Sequence, residues 1–430
     1  MATPRPQHRK TTELLRRKGS LRLASATKTA ETSLAGSSAS EGLVDTTTLS
    51  TNWMVKTQQL ISYDVISKEG LFDVDNRDLI AVGAPRPSTR LRKRPTKLRR
   101  FVVVDEVVDG IYGERIREYF GAHHVETHIL SIHVSEATKT MKSVLAVVDG
   151  IDAFGISRRH EPIIAIGGGV LLDIVGVGAS LYRRSTPYIR VPTTLMGIVD
   201  AGIGAKTGVN YSAHKNRLGN YCPPKVVFLD RTFLATLEPR ELCNGFAEIL
   251  KIALVKDARL FDLLEEHGDR LIEERLQVSQ AAEEVLRRSI HGMLEELQPN
   301  LWEAQLERLV DFGHTFSPTL EMRALPSLLH GEAVTIDMAL STALSLVRGL
   351  VSEVEANRIL ATMRTLRLPT DHELCSPELM WEALEDTVEH RDGLQRIPLP
   401  AGIGAVTFVN DVQRAELSAA AAVLDDLAVR

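Results

Sequence analysis

Short apolar runs alternate with amphipathic segments over the first half of the chain. The runs are rich in β-branched residues and have the length of buried strands; they lie at 101–105, 125–133, 162–166, 188–191 and 226–229. Between them, residues 113–120, 136–154 and 170–181 repeat their apolar positions at helical spacing. Strands that alternate with helices are typical of a largely parallel sheet covered on both faces. We therefore predict a Rossmann-like α/β domain over residues 51–235.

The pattern becomes helical after about residue 236. Helical spacing covers 240–255, 258–274, 279–296, 331–348 and 353–366, whereas only 395–398 and 405–409 have the pattern of strands. We predict a second, mainly α-helical domain over residues 236–430. A cleft between two such domains is a common place for an active site.

Two polar, basic segments precede the first strand. Residues 1–50 are rich in Ser, Thr, Ala, Lys and Arg, and such a segment buries too little apolar surface to fold. We predict a disordered extension, with an organellar transit peptide as the alternative. The basic run at 86–100 has no interleaved aromatic residues, which favours a solvated loop over a nucleic-acid patch.

Composition excludes several classes of protein. A chain of 430 residues is long enough for two domains, and its net charge of −5 argues against nucleic acid as the main partner. The sequence has no apolar stretch of membrane-spanning length. The cysteines, Cys222, Cys243 and Cys375, lie far apart and form no paired metal motif, as in proteins of a reducing compartment. We expect a cytoplasmic enzyme.

Three residues of the second half form a candidate metal site. His314 lies in the segment 311–318, His330 begins the segment 330–334, and Glu248 lies in the segment 244–251. Two imidazoles and a carboxylate suit zinc or a similar divalent ion and leave coordination positions open for a substrate. Such an ion polarises carbonyls and acidifies hydroxyl groups, which indicates chemistry on an oxygen-rich small molecule. Taken singly, each residue has an ordinary alternative, a solvated glutamate or a structural histidine.

A glycine cluster at 167–169 follows the apolar run 162–166 and precedes a helical segment. Glycines at such a junction let a pyrophosphate approach the backbone N–H groups of a helix N-terminus. The spacing differs from the usual dinucleotide-binding fingerprint, so a tight packing turn is the alternative. Asp105 ends the first strand, where it can accept hydrogen bonds from a ribose or cap a helix.

Several ordered motifs give the chain a resemblance to a known family. They are 167–170 with Asp173, 191–195, 199–200, 206–207, 214–216, 247–248 with Lys251, 313–316 and 330–334. Over residues 101–409 the chain resembles the sugar phosphate cyclases, the superfamily that includes dehydroquinate synthase. The resemblance implies a dehydroquinate synthase-like fold, NAD⁺ bound to the first domain, and zinc or cobalt bound to the second.

The resemblance also implies roles for single positions. It makes Glu248, His314 and His330 the metal ligands. The positions that surround NAD are Asp105, Glu136, Lys139, Gly168, Gly169, Val170, Asp173, Thr193, Thr194 and Thr236, together with Asp200, Lys206 and Lys215. Those that line the substrate are Asp200, Lys206, Lys215, Asn216 and Lys251, for whose lysines a solvated surface position is the ordinary alternative. Arg184 matches an arginine that reaches the substrate phosphate in the partner subunit, which implies a homodimer.

The implied reaction is a cyclisation without net oxidation. Transient oxidation of a secondary alcohol by NAD⁺ gives a ketone that acidifies the neighbouring C–H bond, and phosphate then leaves by β-elimination. Hydride returns, the ring opens, and the enolate closes onto a ketone in an aldol reaction.

Departures from dehydroquinate synthase favour a neutral substrate. By gap-free spacing from His314, Met293 and Glu307 stand where that enzyme has a lysine and an arginine, and Pro318 stands where it has a second histidine. Losing two cations disfavours a carboxylate-bearing substrate. Sedoheptulose 7-phosphate, a neutral sugar phosphate of the same carbon count, fits these changes better.

The chain is similar to the branch of the superfamily that makes 2-epi-5-epi-valiolone for C7-cyclitol natural products. The similarity lies in the segments 292–303, 321–325 and 389–393. It also lies in Asp311 and His390, which we expect to hold the intermediate so that hydride returns before ring opening; a surface position is the alternative for His390. The alternatives for the whole chain are a desmethyl-4-deoxygadusol synthase, dehydroquinate synthase itself, a metal-dependent polyol dehydrogenase and a non-catalytic scaffold.

Overall fold

The computed structural model describes residues 44–45, 53–83, 97–212 and 214–429. The chain divides into two units, residues 1–61 and 62–430. In the first unit, β1 (Val44–Asp45) pairs antiparallel with β2 (Trp53–Met54). The predicted disordered extension, 1–50, otherwise lies outside the described residues, as do residues 86–96 of the basic run.

A six-stranded parallel sheet forms the first part of the second unit. Its strands are β3 (Asp64–Ser67), β4 (Arg99–Asp105), β5 (Glu126–Ile132), β6 (Ile163–Gly167), β7 (Tyr188–Pro192) and β10 (Val226–Leu229), in the spatial order β3-β10-β7-β6-β4-β5. Every residue of β6, β7 and β10 is buried, because helices cover both faces. The predicted α/β fold is confirmed.

Four helices accompany this sheet: α1 (Asp78–Ala81), α2 (Glu106–Ala122), α3 (Met141–Phe154) and α4 (Gly169–Leu181). The helix predicted over 136–154 begins later, at Met141, and a 3₁₀ turn over Glu136–Thr138 precedes it. A polar hairpin of β8 (Lys206–Tyr211) and β9 (His214–Tyr221) lies outside the main sheet and was not predicted. It packs on α4, where a Cβ on Gly176 would lie 2.2 Å from Thr207 Cγ2.

The second part is mainly helical, as predicted. Its helices are α5 (Pro239–Lys256), α6 (Ala258–Glu273), α7 (Gln280–Leu297), α8 (Ser317–Ala324), α9 (His330–Val347), α10 (Glu353–Thr365), α11 (Pro377–His390) and α12 (Arg414–Val429). The strands β11 (Ile397–Pro400) and β12 (Val406–Val409) form an antiparallel pair. The helices α5 and α9 are buried almost all round, so they form the centre of the largest apolar core.

The basic run at 86–100 was expected to be a solvated loop, and for its last two residues that prediction is wrong. Arg99 and Arg100 belong to β4, and Arg100 is fully buried. Its guanidinium donates to the carbonyls of Arg99, Ile80 and Val82. Of the helices in the described ranges, none has the length and apolarity to cross a bilayer.

Candidate active site

Glu248, His314 and His330 come together in the helical part. One ligand atom from each residue lies within 4.8 Å of the other two. Glu248 Oε1 is 3.7 Å from His314 Nε2 and 3.8 Å from His330 Nε2, and the two imidazole ring centroids are 5.3 Å apart. Glu248 is distant from the two histidines in the sequence, yet the three donor atoms converge in the folded chain.

Close contact between α5 and α9 brings these ligands together. Asn244 lies one helical turn before Glu248, and its Oδ1 accepts the N–H of Gly331 at 2.5 Å. A Cβ on Gly331 would lie 2.0 Å from the Asn244 carbonyl oxygen, so only glycine allows this approach. His330 is the first residue of α9 and precedes that glycine, so it faces Glu248.

Asp337 fastens the segment that carries His314 to the same helix. Its Oδ2 accepts the backbone N–H groups of Phe316 (2.5 Å) and Ser317 (2.9 Å), which begin α8. The carboxylate therefore caps the N-terminus of α8 from α9. Burial raises the pKa of Asp337 to about 6, although these N–H groups favour its charged form.

The outer nitrogens of both histidines have hydrogen-bond partners. His314 Nδ1 lies 3.1 Å from the carbonyl oxygen of Phe312, and His330 Nδ1 lies 2.8 Å from Glu321 Oε2. A proton on Nδ1 of His314 satisfies its contact and leaves the Nε2 lone pair on the Glu248 side. Lys215 Nζ donates to Glu321 Oε2 (2.6 Å) and lies 2.8 Å from His330 Nδ1, so the tautomer of His330 decides whether its Nδ1 donates to Glu321 or accepts from Lys215. Burial opposes the charge of Glu321, but Lys215 and His330 hold its pKa below the ordinary value.

The cluster has the properties of a metal site. Among the described residues, none donates a hydrogen bond to the buried Oε1 of Glu248, an arrangement that a cation would stabilise. Burial, Lys251 and His330 lower the pKa of His314 well below its ordinary value, so its imidazole is in the neutral, metal-binding form. The donor set therefore fits zinc or cobalt.

Two of the predicted substrate lysines, Lys251 and Lys206, each pair with a glutamate. Lys251 is fully buried and pairs with Glu248. Burial lowers the pKa of Lys251, but the carboxylates of Glu248 and Asp200 outweigh it and raise the pKa above the ordinary value. The half-exposed Lys206 pairs with Glu303. Lys215 is likewise paired with a carboxylate, that of Glu321.

The glycine junction has the shape of a dinucleotide cradle. Gly168 precedes the first residue of α4, and a Cβ there would lie 3.0 Å from Thr194 Cγ2. A Cβ on Gly169 would lie 3.1 Å from Ala201 Cβ, so a side chain at either position would require its neighbour to shift by a few tenths of an ångström. In the described part of the chain, the buried Oγ1 of Thr193 beside them has no hydrogen-bond partner. This bare helix N-terminus with a free hydroxyl fits the pyrophosphate of NAD.

The other predicted NAD positions lie in the same α/β part. Asp105 caps α2 by accepting the N–H of Val107 (2.8 Å), so the helix-cap alternative describes it. Lys139 is buried between Asp173 Oδ2 (2.6 Å) and Asn216 Oδ1 (2.7 Å). Glu136 Oε1 accepts a hydrogen bond from the Asn210 side-chain amide (2.8 Å), and Thr236 Oγ1 is hydrogen-bonded to Tyr112 Oη (2.8 Å). Val170 is half-buried in α4.

Asp311, His390 and Arg184 have other surroundings. Asp311 accepts two hydrogen bonds from Arg308 (2.5 and 3.0 Å), and Arg391 Nη2 lies 3.6 Å from its Oδ2. The exposed His390 lies at the end of α11, with Nε2 2.8 Å from Arg217 Nη1. Arg184 is exposed, and its backbone N–H donates to Leu181 O (3.3 Å).

Two acidic residues of the site were missed by the sequence analysis. Glu303 pairs with both Lys206 and Arg308 and accepts from Tyr221 (3.2 Å), and Glu321 supports His330. Both lie in segments that carry the family resemblance, which was the available signal. Their roles depend on contacts that form only in the folded chain, and the sequence alone does not distinguish such a glutamate from a solvated one.

Comparison with known proteins agrees with this geometry. The family model described as 3-dehydroquinate synthase N-terminal matches residues 129–244, and the C-terminal model matches residues 245–389. A 2-epi-5-epi-valiolone synthase of Actinoplanes sp. is 57% identical over 375 residues, which are 86% of this chain and 92% of that protein. A demethyl-4-deoxygadusol synthase of Trichormus variabilis is 37% identical over 379 residues, 86% of this chain and 90% of that protein.

A solved structure extends the comparison to three dimensions. It is ValA, the 2-epi-5-epi-valiolone synthase of Streptomyces hygroscopicus subsp. jinggangensis 5008 with NAD⁺ and Zn²⁺ bound. Its TM-score is 0.82 at 55% identity, and the match covers 87% of this chain and 99% of that one. With both family models matched in order and the ligand cluster assembled, the chain belongs to the 3-dehydroquinate synthase-like family of sugar phosphate cyclases.

Proposed function

We propose that this protein cyclises sedoheptulose 7-phosphate to 2-epi-5-epi-valiolone and releases inorganic phosphate, with NAD⁺ and zinc or cobalt as cofactors. The identity to a valiolone synthase, 57%, exceeds that to a gadusol-type synthase, 37%, over nearly the same share of the chain. This difference supports the valiolone branch over the gadusol alternative.

The single observation that carries the proposal is the Glu248, His314 and His330 cluster beside buried Lys251. When bound, a divalent ion there holds vicinal oxygens and stabilises developing negative charge, and NAD⁺ accepts a hydride and returns it. The neutral His314 and the unpartnered Glu248 Oε1 are suited to hold the ion. An intact donor set also argues against a non-catalytic scaffold.

The protein's own side chains bind and orient the sugar phosphate. Lys206 and Lys215 supply ammonium groups for the phosphate and the hydroxyl oxygens. Lys251 lies against Glu248 and near the Asp200 carboxylate, so it can hold a substrate hydroxyl at the metal-ligand cluster. Asn216 is fixed by Lys139, and its backbone N–H donates to Asn210 Oδ1 (2.8 Å), which sets its side chain next to Lys215.

The positions that distinguish this chain from dehydroquinate synthase support a substrate without a carboxylate. Met293 is buried in the apolar core of the helical part, and the carboxylate of Glu307 lies 3.6 Å from Arg396. Pro318 lies in the first turn of α8, where Asp337 caps the neighbouring N–H groups. None of these three side chains is a cation that could bind a substrate carboxylate.

The proposal also covers the oligomeric state of the protein, its cellular compartment and the pathway of its product. Two copies form a homodimer, and the exposed Arg184 of each reaches the phosphate in the neighbouring site. Three free cysteines support a location in the cytoplasm. The product belongs to C7-cyclitol biosynthesis. The NAD-binding domain occupies residues 51–235, and the metal- and substrate-binding domain occupies residues 236–430.

Phosphate release tests the proposal. Purified protein with NAD⁺ and Co²⁺ or Zn²⁺ should release phosphate from sedoheptulose 7-phosphate but not from the seven-carbon acid phosphate that dehydroquinate synthase uses. The reaction should leave no net NADH, whereas a polyol dehydrogenase accumulates it. Glu248→Gln should abolish turnover, and Glu265→Gln, which removes a surface carboxylate paired with Arg358, should not. Preference for the acid phosphate would contradict the proposed substrate.

A further inference from the structure

Arg190 lies in β7, directly before the segment that leads to Thr193 and Thr194. It is fully buried, and the side-chain hydrogen bonds that it makes within the described residues all end on backbone carbonyls. Its guanidinium carbon lies 5.4 Å from the Tyr188 ring centroid. A buried guanidinium is costly unless most of its donors are used, so this arrangement requires the carbonyls to stay in place.

The carbonyls belong to one loop, residues 201–206. Arg190 Nη1 lies 2.6 Å from the oxygen of Gly204, and Nη2 lies 3.0 Å from that of Lys206. Nη1 also reaches the oxygens of Gly202 (3.2 Å) and Ala201 (3.4 Å). The two other carbonyl oxygens of the loop accept from different donors: that of Ile203 from Tyr63 Oη (2.8 Å) and that of Ala205 from Cys222 N (2.7 Å). Each carbonyl from 201 to 206 therefore has a fixed donor.

This loop separates Asp200 from Lys206. Asp200 lies in a π-helical turn, Gly197–Ala201, a form often found at functional sites. The turn closes when Gly202 N donates to Gly197 O (2.9 Å), and a Cβ on Gly202 would lie 2.2 Å from that oxygen. Lys206 begins β8, where it pairs with Tyr221 of β9. The positions of both side chains thus depend on the path of the loop between them.

We propose that Arg190 is a positioning residue that fixes Asp200 and Lys206 relative to each other by holding the carbonyls between them. The inference rests on the proposed function in one respect, that Asp200 and Lys206 act on the substrate. Catalysis is sensitive to such placement, because displacement of a reacting group by about 1 Å costs about 100-fold in rate.

The planar fork of arginine is essential to this role. Two terminal nitrogens at a fixed separation bind Gly204 and Lys206 at the same time, whereas the single ammonium of lysine is a point donor on a shorter reach. Arg190→Lys keeps the positive charge and removes the fork. The loop then loses part of its anchoring while the charge in the core stays the same.

Arg100→Lys provides a matched control. Arg100 is also fully buried, lies in β4, which β6 separates from β7 in the same sheet, and also donates to backbone carbonyls. Its acceptors, the carbonyls of Ile80, Val82 and Arg99, lie outside residues 200–206. Both variants should lose stability to a similar extent, so a general effect of removing a buried guanidinium appears in both.

Two measurements on the NAD⁺- and metal-loaded protein test the proposal. Hydrogen-exchange mass spectrometry should show faster exchange over residues 200–206 in Arg190→Lys and not in Arg100→Lys. The kcat with sedoheptulose 7-phosphate, per NAD-loaded molecule, should fall about 10- to 100-fold in Arg190→Lys only, with the NAD⁺ Kd changed less than threefold. Unchanged exchange over 200–206, or equal kcat losses in the two variants, overturns the role of Arg190. A wild-type protein that does not turn over this sugar phosphate contradicts the proposed function instead, and hydrogen exchange then decides the role of Arg190.

Discussion

Replacing Glu321 with glutamine removes the charge that supports one metal ligand. Glu321 is buried, and Oε2 is the acceptor for His330 Nδ1 at 2.8 Å. The same carboxylate neutralises Lys215, whose Nζ lies 2.7 Å from Oε1 and 2.6 Å from Oε2. An amide keeps one acceptor oxygen and nearly the same volume, so the change isolates the charge.

Two effects of known size follow. Loss of a charged partner behind a metal-binding histidine weakens metal affinity about 10- to 100-fold, or about 1.4 to 2.7 kcal/mol. Lys215, whose side chain is only 12% exposed, loses its counter-ion, and breaking such a buried pair costs about 3 kcal/mol of folding stability. We expect both losses in Glu321→Gln, with Glu321→Asp between it and the wild type.

Chelator competition with Co²⁺ and Zn²⁺ measures the first effect, and urea unfolding of the metal-free protein measures the second. Glu382→Gln is the control, because this exposed carboxylate pairs with Arg323 of the same helix α8 but is remote from His330 in the hydrogen-bond network. It should leave metal affinity unchanged. A metal Kd within threefold of wild type in Glu321→Gln refutes the reasoning about His330.

Three further predictions concern other parts of the site. Asp311→Ala and His390→Ala should each lower turnover or change the product identified by NMR, and unchanged product and kcat in both variants would remove these residues from the mechanism. Because burial raises the pKa of Asp337 to about 6, the native state binds its proton more tightly than the unfolded chain does. The free energy of unfolding of the wild type, relative to that of Asp337→Asn, should therefore fall by up to about 3 kcal/mol as the pH rises from 4 to 7. A difference between the two proteins that does not vary with pH in urea unfolding contradicts this. Gly331→Ala places a Cβ 2.0 Å from the Asn244 carbonyl oxygen, so it should cost about 1–3 kcal/mol of stability and weaken Co²⁺ binding; wild-type values for both would show that α5 and α9 can separate freely.

The sheet and the main helices could be predicted because burial leaves a direct pattern in the sequence. The strands β6, β7 and β10 are buried throughout; β6 and β10 read as uninterrupted apolar or β-branched runs, and Arg190 alone introduces a charge into β7. The convergence of two histidines and a glutamate could be predicted because they occurred within family motifs, and their role as metal ligands stays a prediction. Their convergence is confirmed by the distances among Glu248, His314 and His330.

Features that depend on tertiary contacts could not be predicted. The strand β9 is exposed along most of its length, so it has no apolar alternation to reveal it. Arg100 and Arg190 look like solvated charges in the sequence, and only the folded chain brings carbonyls around them. The role of Glu321 likewise depends on its contacts with Lys215 and His330, which form only in the folded chain.

The identity of the product tests the central claim most directly. Purified protein would be incubated with sedoheptulose 7-phosphate, NAD⁺ and Co²⁺ or Zn²⁺, and the product identified by NMR. The account predicts 2-epi-5-epi-valiolone as the single cyclic product, with one phosphate released per molecule. Desmethyl-4-deoxygadusol would keep the fold and the ligand cluster but contradict the assignment to the valiolone branch, and an oxidised, uncyclised sugar would contradict the cyclase reaction itself.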